Sequence, residues 1–333
     1  MNFISGVDIG GTSIRVAIAP LESLSMDSIE KRKVSTPKES PLSISTVVRQ
    51  IIQELLKDNN LTPENLASIN IATAGPIDMD KGEVFNNANL GFKSIPLREP
   101  ISACFPGIPI HLINDCNGAV LGVHFFEALP GEKDNLAYVT LSTGIGGGIV
   151  LNGRLLLGKE GNAAEVGHGI VNPNSGVSCN CGSVGCWEAF SSGTAVARHA
   201  RDGINHPASN GRKMLELAGG TPGGITAKIV FEAARNGDPL AGSIIDQANM
   251  YNCIGIGLMN NYYDLEVVYL GGSMMKDASQ ILPVLEERFK IDPVRYTINK
   301  PPTIKKSTLG DEVGILGALA LGKYKSEDNQ ILT

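Results

Sequence analysis

Ile44, Val47, Val48, Ile51, Ile52, Leu55 and Leu56 recur at three- and four-residue steps, which puts them on one face of a 3.6-residue period. The pattern predicts an amphipathic helix over 44–56. Upstream, two apolar runs, 4–9 and 14–19, flank Gly10-Gly11 and predict a β-hairpin. The polar stretch 20–41 follows, with a third strand expected near 32–35. Unbroken apolar runs at 68–73 and 108–113 predict buried strands. The second ends in Asn114-Asp115 and leads into a helix over 117–129. At residue 136 the pattern restarts with a strand over 136–141, a glycine-rich turn over 142–148 and a returning strand over 149–151. Helices over 226–236 and 239–263 come next, then a strand over 267–270 ending in Gly271-Gly272. A helix over 280–289 is kinked at Pro283 or starts there. The last helix, 314–321, is apolar nearly all round, and a fraying polar tail follows Lys323. Strands alternating with helices in two similar halves predict an α/β architecture. The hairpins GVDIGGTSIRVAIA and VTLSTGIGGGIVLNG echo each other across those halves.

Composition narrows the function classes. The chain has 333 residues, 42% of them hydrophobic, enough for about two domains. The net charge of −6, with both signs mixed, argues against a nucleic-acid or membrane surface. No apolar run reaches the ~18 residues of a membrane-spanning helix. The start, MNFISGVDIGG, has no basic segment and does not read as a signal peptide, so a reducing cytoplasm is expected. Cys104, Cys116 and Cys253 stand singly in apolar surroundings and read as packing residues.

The other cysteines do not stand singly. His168, Cys179, Cys181 and Cys186 form a Cys₃His set of the kind that encloses zinc tetrahedrally. A disulfide reading leaves one thiol over and does not suit a reducing compartment. Protein ligands fill all four positions, so the zinc is expected to be structural. The segment 165–188 is otherwise rich in Gly, Asn and Ser, and the metal's expected task is to fix Glu165, His168 and Glu188 in space.

Two glycine-rich turns and one acid pair complete the candidate chemistry. Gly10, Gly11 and Thr12 let backbone N–H groups approach an anion, with Asp8 placed to hold the Mg²⁺ that neutralises phosphates; the turn at Thr143-Gly144 offers a second set of donors. Each is also readable as a plain hairpin. Neither fits a P-loop or a dinucleotide fingerprint, because a strand follows each turn. Asp115, at a strand end before a helix, is either an Asx helix cap or a carboxylate base.

Together DIGGT at 8–12, AGPID at 74–78, ND at 114–115, STGIGGG at 142–148, ExGH at 165–168 and CxCGxxGCxE at 179–188 resemble the ROK family of sugar kinases, within the actin/hexokinase-like superfamily. The resemblance covers nearly the whole chain. It implies a two-domain, ribonuclease H-like α/β fold with a mixed five-stranded sheet in each domain, closing over a cleft. The expected division is 1–115, 116–323 with the zinc loop, and a tail 324–333, the helix 314–323 packing back on the first domain. The implied activity is transfer from ATP, with Mg²⁺, to the 6-hydroxyl of a hexose. Asp115 corresponds to the general base. Gly75, Asn89, Asn114, Glu165, His168 and Glu188 correspond to sugar-binding positions. Gly10–Thr12 and Thr143-Gly144 correspond to phosphate-lining positions, and Gly271-Gly272 to the adenosine turn. His168 would face zinc with one ring nitrogen and the sugar with the other. Ala164 departs from the family, many of whose members have glycine directly before the ExGH glutamate. The loops at Gly75 and Asn89 look more like the glucokinase branch, so glucose is the first sugar expected and N-acetylmannosamine the second. A homodimer or higher homo-oligomer is expected from the family. A repressor of the same family would need an N-terminal DNA-binding segment, for which a phosphate turn starting at residue 8 leaves no room, and a sugar-binding protein without catalysis would not need Asp8 and Asp115.

Overall fold

The computed structural model describes residues 2–87, 90–206 and 210–327. The chain divides into two compact units, one of Met1–Asp134, Gly148–Ala164 and Leu309–Thr333, the other of Asn135–Gly147 and Glu165–Thr308.

The first unit begins with the expected hairpin. β1 (Phe3–Ile9) and β2 (Ser13–Pro20) pair antiparallel, Asp8 opposite Arg15. β3 (Glu30–Ser35) lies beyond β2. Helix α1 (Pro41–Asp58) starts where the Ser40 hydroxyl accepts from the Ser43 N–H at 3.2 Å, with proline in its first turn. Its stripe of Ile44, Val48, Ile51, Ile52 and Leu55 is buried in one cluster with Val7, Val16 and Ile69 of the sheet. β4 (Leu66–Thr73) runs parallel to β1, and the short strands β5 (Ile77–Asp78), β6 (Glu83–Asn87) and β7 (Phe92–Pro96) form a separate antiparallel sheet. After α2 (Arg98–Ser102), β8 (Ile110–Asn114) completes the order β3-β2-β1-β4-β8 and leads directly into α3 (Asp115–Phe126).

A second five-stranded sheet has the order β11-β10-β9-β12-β13. β9 (Leu136–Leu141) and β10 (Ile145–Leu151) flank a turn shorter than expected, because Ile145–Gly148 already belong to the strand. β11 is Arg154–Leu155. After the cysteine-rich segment come α4 (Glu188–Ser191), α5 (Gly193–Ile204), α6 (Arg212–Leu217) and α7 (Ala227–Arg235). The long α8 (Pro239–Tyr263) precedes β12 (Val267–Gly271), which is parallel to both β9 and β13 (Thr303–Lys306). Between them, α9 (Leu282–Ile291) begins at Pro283 rather than kinking there, the proline occupying its first turn where no N–H is needed.

Helix α10 (Val313–Ser326) continues three residues past Lys323, so the expected fraying does not set in there. It packs on α3 in the first unit, and it does so through glycine: a Cβ on Gly317 would fall 2.1 Å from the Gly118 carbonyl oxygen. That approach seats the first turn of α3, and Asp115 with it, on a rigid support. Among the described residues no helix is long and apolar enough to cross a membrane.

Candidate active site

In the first unit the site residues gather at the ends of β1, β4 and β8. Arg15 faces Asp8 across the hairpin and donates from Nη1 to its Oδ2 at 2.8 Å. Burial raises the Asp8 pKa above the usual carboxylate value, Arg15 opposes that shift, and the negative charges of Asp115 and Glu312 add to it. The Asp8 carboxyl also abuts Gly314 of α10, where any Cβ would come within 2.7 Å of it. The Gly10–Thr12 turn is closed by the Gly10 N–H on Ser13 O at 3.0 Å and braced by Thr36, which donates its hydroxyl to Gly10 O at 2.6 Å.

Asn114 and Asp115 meet at the start of α3. Asn114 is the cap residue of α3, its Oδ1 accepting from Cys116 N–H at 2.9 Å. Asp115 is the first residue of the helix, and its Oδ1 accepts from the same N–H at 2.8 Å. Burial raises the Asp115 pKa, while that backbone bond pulls it down. Gly75 lies against Asn114, at 3.4 Å from its amide nitrogen if a Cβ were added. The Asn87 amide holds this loop by donating to Gly75 O at 2.8 Å and Ala74 O at 3.0 Å. Asn89, expected among the sugar-binding positions, lies outside the described residues.

In the second unit His168, Cys179, Cys181 and Cys186 converge, their ligand atoms all within 4.8 Å of one another. Cys181 and Cys186 Sγ are 3.7 Å apart, and Cys179 Sγ is 3.8 Å from His168 Nδ1. A zinc tetrahedron with Zn–S of about 2.3 Å and Zn–N of about 2.0–2.1 Å has edges of roughly 3.4–3.8 Å, so the donor set fits the ion. A small knuckle shapes it, with bridges Ile170–Cys186 and Ser178–Val184 and left-handed glycines at 182 and 185. At Gly185 a Cβ would sit 2.1 Å from Asn172 O, so only glycine permits that crossing. Burial pushes the Cys179 thiol up to about 12.

Three of the expected sugar residues, Glu165, His168 and Glu188, lie at this cluster. His168 Nε2, on the far side of the ring from the thiols, is 4.0 Å from Glu165 Oε2. Glu188 opens α4; its Oε1 is 3.7 Å from Cys179 Sγ, and its Oε2 accepts from Ile145 N–H at 2.9 Å. That bond joins Glu188 to the Thr143-Gly144 turn, against which it packs so closely that a Cβ on Gly144 would lie 2.5 Å from Oε2. The same turn is stitched to α5, since Gly193 N–H donates to Ser142 O at 2.7 Å and the Thr194 hydroxyl to Thr143 O at 2.8 Å.

Beside the turn opens a pocket of about 350 Å³ whose lining includes Thr143, Thr194, Ser273, Arg201 and Lys228. Gly272, with φ +88°, carries the chain from β12 to Ser273. Sequence reasoning expected Thr143, Gly144, Gly271 and Gly272 in this region but not the two cations, which α5 and α7 bring in. Nothing in their spacing sets Arg201 and Lys228 apart from ordinary surface residues of amphipathic helices.

Among solved structures, the chain is similar to a ROK family glucokinase from Streptomyces griseus in complex with glucose and AMPPNP, with a TM-score of 0.74 and 30% identity over 96% of this chain and 99% of that one. It is similar to a ROK hexokinase from Thermus thermophilus with a TM-score of 0.79 and 28% identity over 98% and 100%. A glucokinase of Halalkalibacterium halodurans is 31% identical, covering 94% of this chain and 92% of that protein. An N-acetylmannosamine kinase of Yersinia pestis is 32% identical over 80% and 82%. The ROK family model matches residues 4–325, and the chain belongs to the ROK family.

Proposed function

We propose that this chain is an ATP-dependent hexose kinase that phosphorylates the sugar 6-hydroxyl, with glucose as its substrate. One observation carries the reading. Glu188 stands beside the Cys₃His cluster with Glu165 and His168, and the same carboxylate holds the amide behind the Thr143-Gly144 turn. Groups suited to sugar hydroxyls and groups suited to phosphates are thereby built on one framework.

Phosphoryl transfer needs alignment and charge stabilisation more than covalent participation. Glu165, His168, Glu188 and Asn114 bind the sugar hydroxyls. Asp115 accepts the proton of O6, and burial, which raises its pKa, makes its carboxylate a stronger base. The backbone N–H groups of the Gly10–Thr12 and Thr143-Gly144 turns meet the donor phosphates. The pocket bearing Lys228 and Arg201 receives the nucleoside. Asp8 would hold the Mg²⁺ that accompanies ATP and shields its charge. His168, Cys179, Cys181 and Cys186 would hold a zinc ion, which would anchor the segment that carries the sugar ligands.

Two observations favour an N-acetylhexosamine as a second reading. N-acetylmannosamine kinases stand among the similar proteins, and Ala164 replaces the glycine usual before Glu165. ADP release is to be measured with ATP and each of glucose, mannose, N-acetylglucosamine and N-acetylmannosamine. Glucose is expected to give the highest kcat/KM. A higher value for N-acetylmannosamine selects the second reading, and no sugar-dependent turnover with any of the four rejects the kinase reading.

A further inference from the structure

Arg198 lies on α5, the helix whose first turn is bonded to Ser142 and Thr143. Its guanidinium donates from Nη1 to Ser178 O at 3.1 Å and from Nη2 to Ala189 O at 2.7 Å. Ser178 directly precedes the zinc ligand Cys179, and Ala189 directly follows Glu188. One planar cation therefore ties both sides of the zinc knuckle to a helix that also supports the phosphate turn. Arg198 shares a small cavity with Cys179, Asn180 and Glu188. His199 Nε2 lies 3.0 Å from the same Ala189 oxygen and its ring stacks on Phe190, so the anchor point is itself held in place.

We propose that Arg198 is a positioning residue that holds Cys179 and Glu188 in register. The protein then fixes the sugar-binding segment from one side and the metal fixes it from the other. A guanidinium suits this task because its donors leave one rigid plane in a fork, whereas a lysine ammonium cannot span two carbonyls in fixed geometry. The sugar half of the inference rests on the reading of Glu188 as a sugar ligand; the metal half does not.

The test uses Arg198→Ala and Arg198→Lys in the full, zinc-loaded chain. Three quantities are read: the rate of zinc loss to a chromogenic chelator, the separate KM values for sugar and ATP, and the emission of Trp187, the chain's one tryptophan. Trp187 is buried beside Glu188 and reports on the segment without turnover. Two lost charge-assisted bonds predict about tenfold faster zinc loss and about tenfold higher sugar KM in Arg198→Ala, with ATP KM changed by no more than about twofold. Arg198→Lys is expected in between on both scales. Unchanged zinc loss and sugar KM overturn the proposal. So do equal rises in both KM values, which would mark a merely structural role. If the wild type phosphorylates no sugar, the kinase reading fails while zinc loss still decides the clamp. If Arg198→Ala does not fold, zinc loss and KM values from Arg198→Lys decide it: wild-type values overturn the clamp, intermediate ones support it.

Discussion

Asp115→Asn separates chemistry from binding at this site. The substitution is isosteric and preserves the local geometry, because an asparagine Oδ1 can accept from Cys116 N–H as the carboxylate does at 2.8 Å. Asn114 remains the helix cap. What is lost is a group that can take a proton. Positioned acid–base catalysis contributes about 10²–10⁴-fold, equivalent to roughly 2.7–5.4 kcal/mol of barrier. The expected result is a kcat lower by that factor with sugar affinity nearly unchanged, measured by coupled ADP release and by calorimetric titration of glucose. The pH profile gives an independent readout. Burial raises the Asp115 pKa, so the base becomes protonated at a higher pH than an exposed carboxylate would. In the wild type, kcat/KM should fall as pH drops through that raised value, and in the variant this limb should disappear. Stability should move oppositely. A carboxyl whose folded pKa is raised favours folding at pH below its unfolded pKa and loses that contribution as pH rises through the folded value. Removing the charge should therefore raise the melting temperature at neutral pH. Turnover within tenfold of wild type, in a folded variant that still binds sugar, would falsify the role of Asp115 as base.

Further expectations concern the segment that carries the sugar ligands. Cys181→Ala should lower zinc affinity on the order of 100-fold or more and raise sugar KM, read by metal analysis and kinetics. With the Cys179 thiol pushed up to about 12, binding of zinc displaces protons, so its affinity should weaken as pH falls. Gly255→Ala and Gly242→Ala, both on α8, should diverge. A Cβ at 255 would meet the Trp187 ring at 2.3 Å, whereas at 242 nothing lies within 4 Å. The first should cost about 1–3 kcal/mol of overpacking and disturb sugar KM through Glu188; the second should stabilise by up to about 1 kcal/mol in a denaturation series. Ala164 has φ +66°, a conformation that costs a residue with a Cβ about 1–2 kcal/mol. Ala164→Gly should relieve that strain, less about 0.4–1 kcal/mol of chain entropy, and so leave thermal stability equal or higher. Ala164→Val should lower it clearly.

How much of this was legible in the sequence depended on whether a side chain's neighbours lie near it in the chain. Helix α1 was readable because its buried stripe follows the helical period, although its start, Pro41 after the Ser40 cap, lies ahead of the predicted 44. The Cys₃His cluster was readable because three thiols and an imidazole have few other reasons to occur together. The small sheet β5-β6-β7 was missed because strands of two and five residues leave too short a run for an alternating pattern. β10 was mistaken in part for a turn because Gly146–Gly148 have no side chains to alternate. The reason for glycine there is tertiary: a Cβ on Gly148 would come within 2.4 Å of Cys116 O, in the first turn of α3.

The same distinction explains why Arg198, Arg201 and Lys228 carried no signal. Each sits on a helix with ordinary amphipathic spacing and acquires its role from what α5 and α7 are packed against. Glu188 was expected at the sugar, but its bond to Ile145 N–H joins residues 43 positions apart and could not be foreseen. That bond has a consequence for catalysis. On the proposed reading, a shift of Glu188 by one ångström would misplace the sugar, and alignment is the larger part of what a phosphoryl-transfer enzyme supplies. The Cys₃His cluster, the Arg198 fork and the Trp187 ring all bear on that one carboxylate, through Cys179, Ala189 and its own chain neighbour. On the proposed reading, the position is held redundantly because an error there would misplace the sugar against the phosphates.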